Sequence, residues 1–218
     1  MYNLMMKDFK IGIQPWVLFM PLLMGALMLL PGWIYFIVLL YFIWISIPNI
    51  FNQFKVQNDL LFTTMLSVTK KDMVKARIMV IVILEVLHIV VAMIFGLIAL
   101  YLYPNLDYVF FAPHMGFWGL CFVMFGIFNI LFFPMHYKTA YKYGKGYIIG
   151  LIAVMIYVGI AQWVGIQNSS VSNIFNGTGA DNMVLQLSIL IIGIAIFTVL
   201  TIIGCNISIK RFKKVDIS

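Results

Sequence analysis

Charged residues are scarce in this chain: they make up 10% of its 218 residues, and only seven residues are acidic. About a quarter of the residues in a soluble domain are usually charged, whereas here 64% are hydrophobic. This composition excludes an ordinary water-soluble fold. It predicts an all-α integral membrane protein with a single transmembrane domain and no soluble catalytic module, because a chain in lipid must satisfy its backbone internally.

Cysteine is also rare. Cys121 and Cys205 both lie in apolar segments, without a CxxC pair or a nearby set of metal ligands. Their context is typical of small core side chains and speaks against a disulfide framework or a metal centre.

Catalytic and nucleotide-binding motifs are missing. The chain contains no GxxxxGK[ST] and no HExxH pattern, and the glycines of Gly144-Lys145-Gly146 and Gly177-Thr178-Gly179 stand outside any strand-to-helix context. No serine or cysteine has the context of a nucleophile. The sequence therefore predicts neither a catalytic residue nor a metal site nor a phosphate-binding loop. The net charge of +7 does not indicate nucleic acid, since the basic residues cluster beside apolar runs.

What the sequence does contain is apolar runs of membrane-crossing length. A crossing needs roughly 17 to 25 residues, and prolines punctuate the runs at Pro31-Gly32 and at Pro134, which is predicted to close the fourth. The predicted spans are residues 15–30, 33–50, 78–103, 114–133, 147–166 and 183–207.

Residues 1–14 have the pattern of a helix lying in the headgroup plane, and they lack the apolar core of a cleavable signal peptide. One predicted face holds Tyr2, Met5, Met6, Phe9 and Ile13, and the opposite face holds Asn3, Lys7, Lys10 and Gln14.

The basic residues are distributed asymmetrically. With six spans, residues 1–14, 52–77, 136–146 and the C-terminal tail lie on one side and hold all fourteen Lys and Arg residues. The positive-inside rule then predicts that both termini are cytoplasmic, in the bacterial cell membrane. The basic tail is interpreted as a topological anchor, with binding of anionic lipid as the alternative.

The polar loop 52–77 contains a segment, Leu60 to Val68, that is predicted to form a short amphipathic helix. Thr69 and Asp72 resemble a capping box that starts the next helix. The alternative is a positively charged cytoplasmic loop with some helical tendency. The predicted apolar arc is Leu61, Phe62, Met65, Leu66 and Val68, and the opposite arc is Asp59, Leu60, Thr63, Thr64 and Ser67.

A few polar residues interrupt the spans. Glu85 and His88 form an ExxH pair on one helix face, and ionisable groups at membrane depth often mark a pathway. Asn129 and Gln162 are further candidates, although such amides more often join helices. Gly146 and Gly150 have the small-residue spacing that permits close helix approach.

The layout of the chain resembles the permease subunits of small bacterial ABC-2 type transporters. The local match is Leu66-Ser67-Val68-Thr69-Lys70-Lys71-Asp72-Met73-Val74-Lys75-Ala76-Arg77, which is similar to the family's Leu-Pro-Val-Ser-Arg-x-x-(Ile/Val)-Val-x-(Ala/Gly)-Lys signature, with Ser67 in place of the proline. The Lys-, Ile- and Asn-rich character is most similar to permeases of the phenol-soluble-modulin exporter.

The resemblance implies the ABC-2 exporter fold, with six transmembrane helices, an interfacial first helix and a coupling helix between spans two and three. It further implies a second permease, identical or paralogous, and ABC ATPase subunits that bind ATP and Mg. The implied ATPase-docking residues are Leu60, Leu61, Phe62, Met65, Leu66, Val68, Lys70, Lys71 and Asp72. Such permeases often carry short re-entrant helices between spans five and six, for which residues 167–182 are expected to be too polar.

These observations support export of an amphipathic or toxic peptide, or a similar hydrophobic substrate, powered by separate ATPases. The alternative is a non-transporting immunity or sensor protein that binds a toxic peptide. An intramembrane metal enzyme would need more ligands than Glu85, His88 and His114 supply.

Overall fold

A computed structural model describes residues 1–66, 68–139, 142–177 and 180–215, and of Ala180 and Asp181 it describes the backbone alone. The regular structure within these ranges is entirely helical, which confirms the predicted all-α membrane fold. The helices are α1 (Tyr2–Gly12), α2 (Pro15–Gly25), α3 (Phe36–Val56), α4 (Asp59–Thr64), α5 (Lys70–Leu102), α6 (Met115–Thr139), α7 (Gly144–Gln167), α8 (Ser169–Asn176) and α9 (Ala180–Lys213).

Five helices in the described ranges, α3, α5, α6, α7 and α9, are long and apolar enough to cross a membrane. Helix α1 makes a sixth candidate crossing only when it is joined, across a bend of 79°, to the segment formed by α2 and the 3-10 turn Ala26–Leu29 that extends it. This segment follows α5 to its far end: Gly25 lies against Phe95, and Met28 lies against Gly96.

The described helix ends gather at two opposite ends of the bundle. One end holds the segments that carry the Lys and Arg residues and is called the basic end. There Lys70 donates a hydrogen bond to the carbonyl of Val215 (2.7 Å), and Arg211 donates one to the carbonyl of Pro134 (2.9 Å). At the other end, Asn176 bridges to the loop between α5 and α6. Helix α1, the loop before α5 and the end of α9 therefore share one end, as six crossings require.

Helix α6 is the centre of the bundle, with 72% of its most apolar stretch buried against 22% for α9. Glycines allow α9 to approach it closely. A Cβ on Gly193 would lie 2.2 Å from the carbonyl oxygen of Gly119, and one on Gly119 would lie 2.5 Å from that of Ile189. Small residues of this kind let helix backbones meet in lipid. On the α7 side of α6, Gly146 and Gly150 pack against Phe132 and Phe128 in the same way, as their spacing predicted.

Helix α3 contains one π turn, Phe42–Ser46, which ends two residues before Pro48. A π turn accommodates one extra residue and rotates the helix that follows it. Phe51 and Phe54, beyond the turn, are buried and face the bundle at its basic end.

Several helices continue beyond the predicted spans. Helix α3 runs to Val56, α5 already begins at Lys70, and α6 continues past Pro134 to Thr139. The prediction that Pro134 ends its helix is wrong, because a proline inside a transmembrane helix is tolerated where neighbouring groups satisfy the backbone. The carbonyl that loses its N–H partner is that of Ile130, four residues earlier, and Arg211 ties the same stretch to α9 through the Pro134 carbonyl.

Residues 167–182 were expected to be too polar for short re-entrant helices, yet one short helix, α8, forms there. Its first turn is capped by Asn168, whose Oδ1 accepts hydrogen bonds from the backbone N–H groups of Ser170 and Val171 at 3.0 and 3.3 Å. One apolar residue anchors the helix: Phe175 is buried, with its ring centroid 4.5 Å from that of Phe111.

Candidate functional site

Helix α4 buries its polar side and exposes its apolar side. Asp59 and Thr63 are only 1% and 2% exposed, whereas Met65, just beyond the helix, is 83% exposed. The exposed apolar surface, here called the α4 patch, consists of Leu61, Phe62, Met65 and Leu66. Contiguous apolar side chains at a protein surface indicate a contact with another molecule.

The polar side of α4 is held by a cluster of four charged residues, Lys7, Asp8, Asp59 and Arg77. Lys7 Nζ lies 2.6 Å from Asp59 Oδ1 and 3.0 Å from Asp8 Oδ1. Arg77 pairs with Asp59, and its Nε lies 3.3 Å from Asp8 Oδ2. The charges sum to zero, and each side chain is at most 12% exposed. This charge cluster joins α1, α4 and α5.

The cluster corrects the predicted orientation of α1. Lys7 was expected to face water, but it donates hydrogen bonds to Asp59 and to the hydroxyl of Thr63, both at 2.6 Å. The buried positions of α1 are Leu4, Asp8 and Gly12, while Tyr2 and Met6 are exposed. Helix α1 therefore turns Lys7 and Asp8 toward α4 and α5, because Asp59 of α4 stabilises Lys7 and Arg77 of α5 stabilises Asp8.

An aromatic ring completes the attachment of α4. The guanidinium carbon of Arg77 lies 3.8 Å from the ring centroid of Phe54 on α3, within cation–π distance. The Phe54 ring also packs against α1: a Cβ on Gly12 would lie 2.0 Å from Phe54 Cε1. Only glycine leaves room for the ring, so Gly12 fixes the position of Phe54 and hence that of Arg77.

The carboxyl group of Asp59 is ionised in this environment. Burial alone would raise its pKa, but the charges of Arg77 and Lys7 and their hydrogen bonds lower the pKa below the ordinary value of 3.8. Asp59 is therefore negatively charged at neutral pH, and it attracts both cations of the cluster.

Local signals place α4 between two longer helices. Asn58 adopts a left-handed conformation (φ 49°), which asparagine tolerates better than most residues, and the chain turns there from α3 into α4. After α4, Thr69 caps α5: its hydroxyl accepts from the N–H of Asp72 (3.1 Å) and donates to the Asp72 carboxylate (2.7 Å). The predicted cap is confirmed, although Asp72 binds the hydroxyl of Thr69 and not its N–H.

A cleft of about 190 Å³ adjoins the α4 patch. It lies between α4 and the ends of α3, α5 and α6 at the basic end, and it combines aromatic and cationic groups. The lining residues include Phe51, Lys55, Leu61, Arg77, His136 and Tyr143.

The residues predicted to dock an ATPase differ in accessibility. Leu61, Phe62, Met65, Leu66 and Lys71 are exposed; Leu60, Val68, Lys70 and Asp72 are partly buried. Lys70 binds the Val215 carbonyl, and Asp72 belongs to the Thr69 cap. Ser67, predicted on the polar arc and in the signature, lies outside the described residues.

Three of the helices in the bundle core share a polar contact. Asn129 Nδ2 on α6 donates to Glu85 Oε2 on α5 (2.8 Å) and to Thr201 Oγ1 on α9 (3.1 Å). His88, also buried, binds the Val38 carbonyl through Nε2 at 3.0 Å. Gln162 of α7 is buried but forms no hydrogen bond with these residues. Among the predicted polar residues, the structure thus brings Glu85 and Asn129 together, and adds Thr201.

Sequence reasoning did not single out Lys7, Asp8 or Arg77, and it named Asp59 only as part of a polar arc. A signal was available. Asp8 and Asp59 are two of only seven acidic residues, and both fall in segments that the charge distribution places on the basic side. An acidic residue there needs a cationic partner if its helix packs against the bundle.

Comparison with protein families agrees with this geometry. The family described as "ABC-2 family transporter protein" matches residues 3–213. No curated protein and no solved structure matches the chain significantly. Because the family match covers nearly the whole chain, the chain belongs to the ABC-2 family of transporter membrane proteins.

Proposed function

We propose that this permease exports an amphipathic peptide, or a similar hydrophobic substrate, out of the cytoplasm, and that ATPase subunits drive it by docking on the α4 patch. Membership of the ABC-2 family implies ABC ATPase partners. The observation that carries the proposal is the orientation of α4, whose apolar side is exposed while its polar side is bound by the charge cluster. ATP and Mg are then bound by the partner.

The charge cluster connects α4 mechanically to α5. A partner that pulls or tilts α4 acts on Asp59, and Asp59 is paired with Arg77, seven residues after Lys70 at the start of α5. Helix α5 is 33 residues long and contacts α1, α2, α3, α6 and α9. Motion of α4 therefore reaches most of the bundle through one rigid helix.

A groove of about 430 Å³ between α5 and α9 supports an amphipathic substrate. It extends from Lys75, near the basic end, along both helices to Phe197. Its lining alternates apolar and polar groups. The apolar ones include Ile78, Met79, Val82 and Ile202, and the polar ones are Lys75, Thr198, Thr201 and Asn206. A substrate could enter this groove laterally from the membrane.

The proposal includes a second permease, identical or paralogous, and an orientation. Helix α7 presents a continuous apolar face away from the bundle, and a second permease or membrane lipid would cover it. The exposed residues of this face include Ile148, Ile152, Ile156, Ile160 and Trp163. The basic end, with both termini, would face the cytoplasm of a bacterial cell, since it holds the Lys and Arg residues.

Site-specific crosslinking tests the docking surface. A photoreactive amino acid replaces Met65 in one variant and Tyr101 in another; both positions are more than four-fifths exposed, but they lie at opposite ends of α5 and its loop. In cells that also express the ABC ATPase, we expect a crosslinked ATPase from position 65 and none from position 101. An ATPase captured equally from both positions would contradict docking on the α4 patch.

Charge insertion tests the consequence for transport. Leu61→Asp with Met65→Asp should release the ATPase and raise the cellular content of a fluorescent amphipathic peptide. Tyr101→Asp with Leu102→Asp adds the same charge at exposed apolar positions of the other end and should leave export unchanged. If the permease protected cells fully against a toxic peptide when the ATPase is absent, an immunity or sensor protein would be favoured instead.

A further inference from the structure

The polar contact in the bundle core is incomplete in a specific way. Glu85 and Asn129 are both 0% exposed. The two hydrogens of the Asn129 amide are used, one by Glu85 Oε2 and one by Thr201 Oγ1. Two oxygens, Glu85 Oε1 and Asn129 Oδ1, have no hydrogen-bond partner among the residues that the structure describes. These two oxygens belong to the Glu85 carboxyl and the Asn129 amide, the planar groups that the 2.8 Å hydrogen bond from Nδ2 to Oε2 already joins.

No cation compensates Glu85 in the part of the chain that the structure describes. The ion pairs found there involve only Lys7, Asp8, Asp59 and Arg77. Lys75 and Arg77 precede Glu85 on the same helix by about 15 and 12 Å at 1.5 Å per residue. An ionised carboxylate without a partner inside a membrane bundle is strongly unfavourable.

The other titratable groups around Glu85 do not supply a charge either. His88, one turn further along α5, uses Nε2 to donate to the Val38 carbonyl of α3, and its Nδ1 is unpartnered. A carbonyl can only accept, so Nε2 carries a hydrogen. A second hydrogen, on the buried Nδ1, would meet no acceptor among the described residues, which favours a neutral His88. From α9 the neighbouring groups are the Thr201 hydroxyl and, one turn on, the Cys205 thiol.

We propose that Glu85 holds a proton on Oε1 and forms a closed acid–amide ring with Asn129. In this ring the Oε1–H group donates to Asn129 Oδ1, while Oε2 accepts from Asn129 Nδ2. A single proton thus satisfies both unpartnered oxygens and removes the buried charge. The ligand of this site is the proton itself.

The ring couples three helices to protonation. It joins α5 to α6, and the bond from Asn129 to Thr201 extends the connection to α9. Loss of the proton would place two acceptors opposite each other and separate α5 from α6. Helix α5 also carries Arg77 of the charge cluster, so the proton stabilises the helix to which α4 is attached.

Infrared spectroscopy of the protein in phosphatidylcholine vesicles tests the proton directly. At neutral pH we expect a protonated-carboxyl carbonyl band that shifts in deuterated water and is missing from Glu85→Gln. In Asn129→Leu the band should move to higher frequency, because the acid loses its partner. A wild-type spectrum without such a band, or a band that Asn129→Leu leaves in place, would overturn the proposal.

Thermal unfolding separates the ring from a merely structural contact. Glu85→Gln replaces the acid O–H by an amide N–H and keeps both bonds of the ring, so its Tm should stay within about 2 °C of wild type, whereas Asn129→Leu should lose about 5 °C or more. Unfolding frees the proton, so the wild-type Tm should fall as the pH is raised from about 5, and the Tm of Glu85→Gln should not. Equal losses in Glu85→Gln and Asn129→Leu would refute the ring.

Discussion

Arg77 on α5 pairs with Asp59 on α4 and lies over the ring of Phe54 on α3. The pair is intramolecular, yet it determines which side of α4 meets other molecules. Asp59 and Thr63 face the cations of the charge cluster, so the apolar residues on the opposite face of the same short helix are exposed at the protein surface. The α4 patch is thus a consequence of charge pairing inside the protein.

Breaking this pair should release α4. Arg77→Met leaves Asp8 and Asp59 with Lys7 as their one remaining cation in the cluster, and removing one partner of a buried pair costs about 3 kcal/mol. We expect a lower free energy of unfolding in detergent, together with weaker binding of the ATPase. Lys10→Met, which removes an exposed cation of α1 outside the charge cluster, is the matched control. Equal stability of the two variants would show that the charge cluster does not hold α4.

The contribution of Asp59 should depend on pH only under acidic conditions. Its pKa is lower in the folded protein than its ordinary value of 3.8, so the stabilisation is complete above that value and is lost as the pH falls through the folded pKa. The Tm difference between wild type and Asp59→Asn should be constant from about pH 8 to about pH 5 and should shrink below about pH 4. A difference that already changes between pH 8 and pH 5 would contradict an ion-paired Asp59.

The contact between α6 and α9 should tolerate no side chain at Gly193. A Cβ there would lie 2.2 Å from the backbone oxygen of Gly119, which cannot rotate away. Gly193→Ala should force the two helices apart and cost about 2 kcal/mol of unfolding free energy. Gly159→Ala is the control, because a Cβ at Gly159 meets no atom within 4 Å; it should be neutral or gain up to about 1 kcal/mol. Similar behaviour of the two variants would argue against close packing at Gly119.

Asn176 should hold the loop between α5 and α6 in place at the end opposite the charge cluster. Its Oδ1 accepts from the N–H of Ala112 (2.9 Å), and its Nδ2 donates to the carbonyl of Tyr108 (3.0 Å). Asn176→Ala removes both bonds, and amide hydrogen exchange at Ala112 should accelerate about tenfold, as expected for a loss near 1.4 kcal/mol. Asn173→Ala on the same helix removes a side chain that forms no hydrogen bond with the described residues, and it should leave that exchange rate unchanged.

The local features of this protein could be predicted from sequence, since their causes lie within a few residues. The Thr69 cap depends on Asp72, three positions away. The short helix predicted for residues 60–68 is found at Asp59–Thr64, so its presence was predictable but its end, four residues earlier, was not. Apolar runs and the asymmetric distribution of Lys and Arg predict six crossings, and five helices of the described residues are long and apolar enough to cross alone.

The orientation of α1 and α4 could not be predicted in this way. Lys7 and Asp59 are 52 residues apart, and Arg77 is 18 residues from Asp59. Periodicity shows that each helix has a polar and an apolar face, but it does not show which face a distant partner will bury. The usual assumption, that polar faces meet water, fails here because the two polar faces carry opposite charges and bind each other.

The π turn Phe42–Ser46 has a bearing on this arrangement. It holds one residue more than an α turn, and each residue rotates a helix by about 100°. If the same residues wound as a regular α-helix, the rest of α3 would turn by about that angle and carry Phe54 away from Gly12 and Arg77. The alignment of the charge cluster is therefore set in part by an irregularity two turns upstream, among side chains that carry no charge.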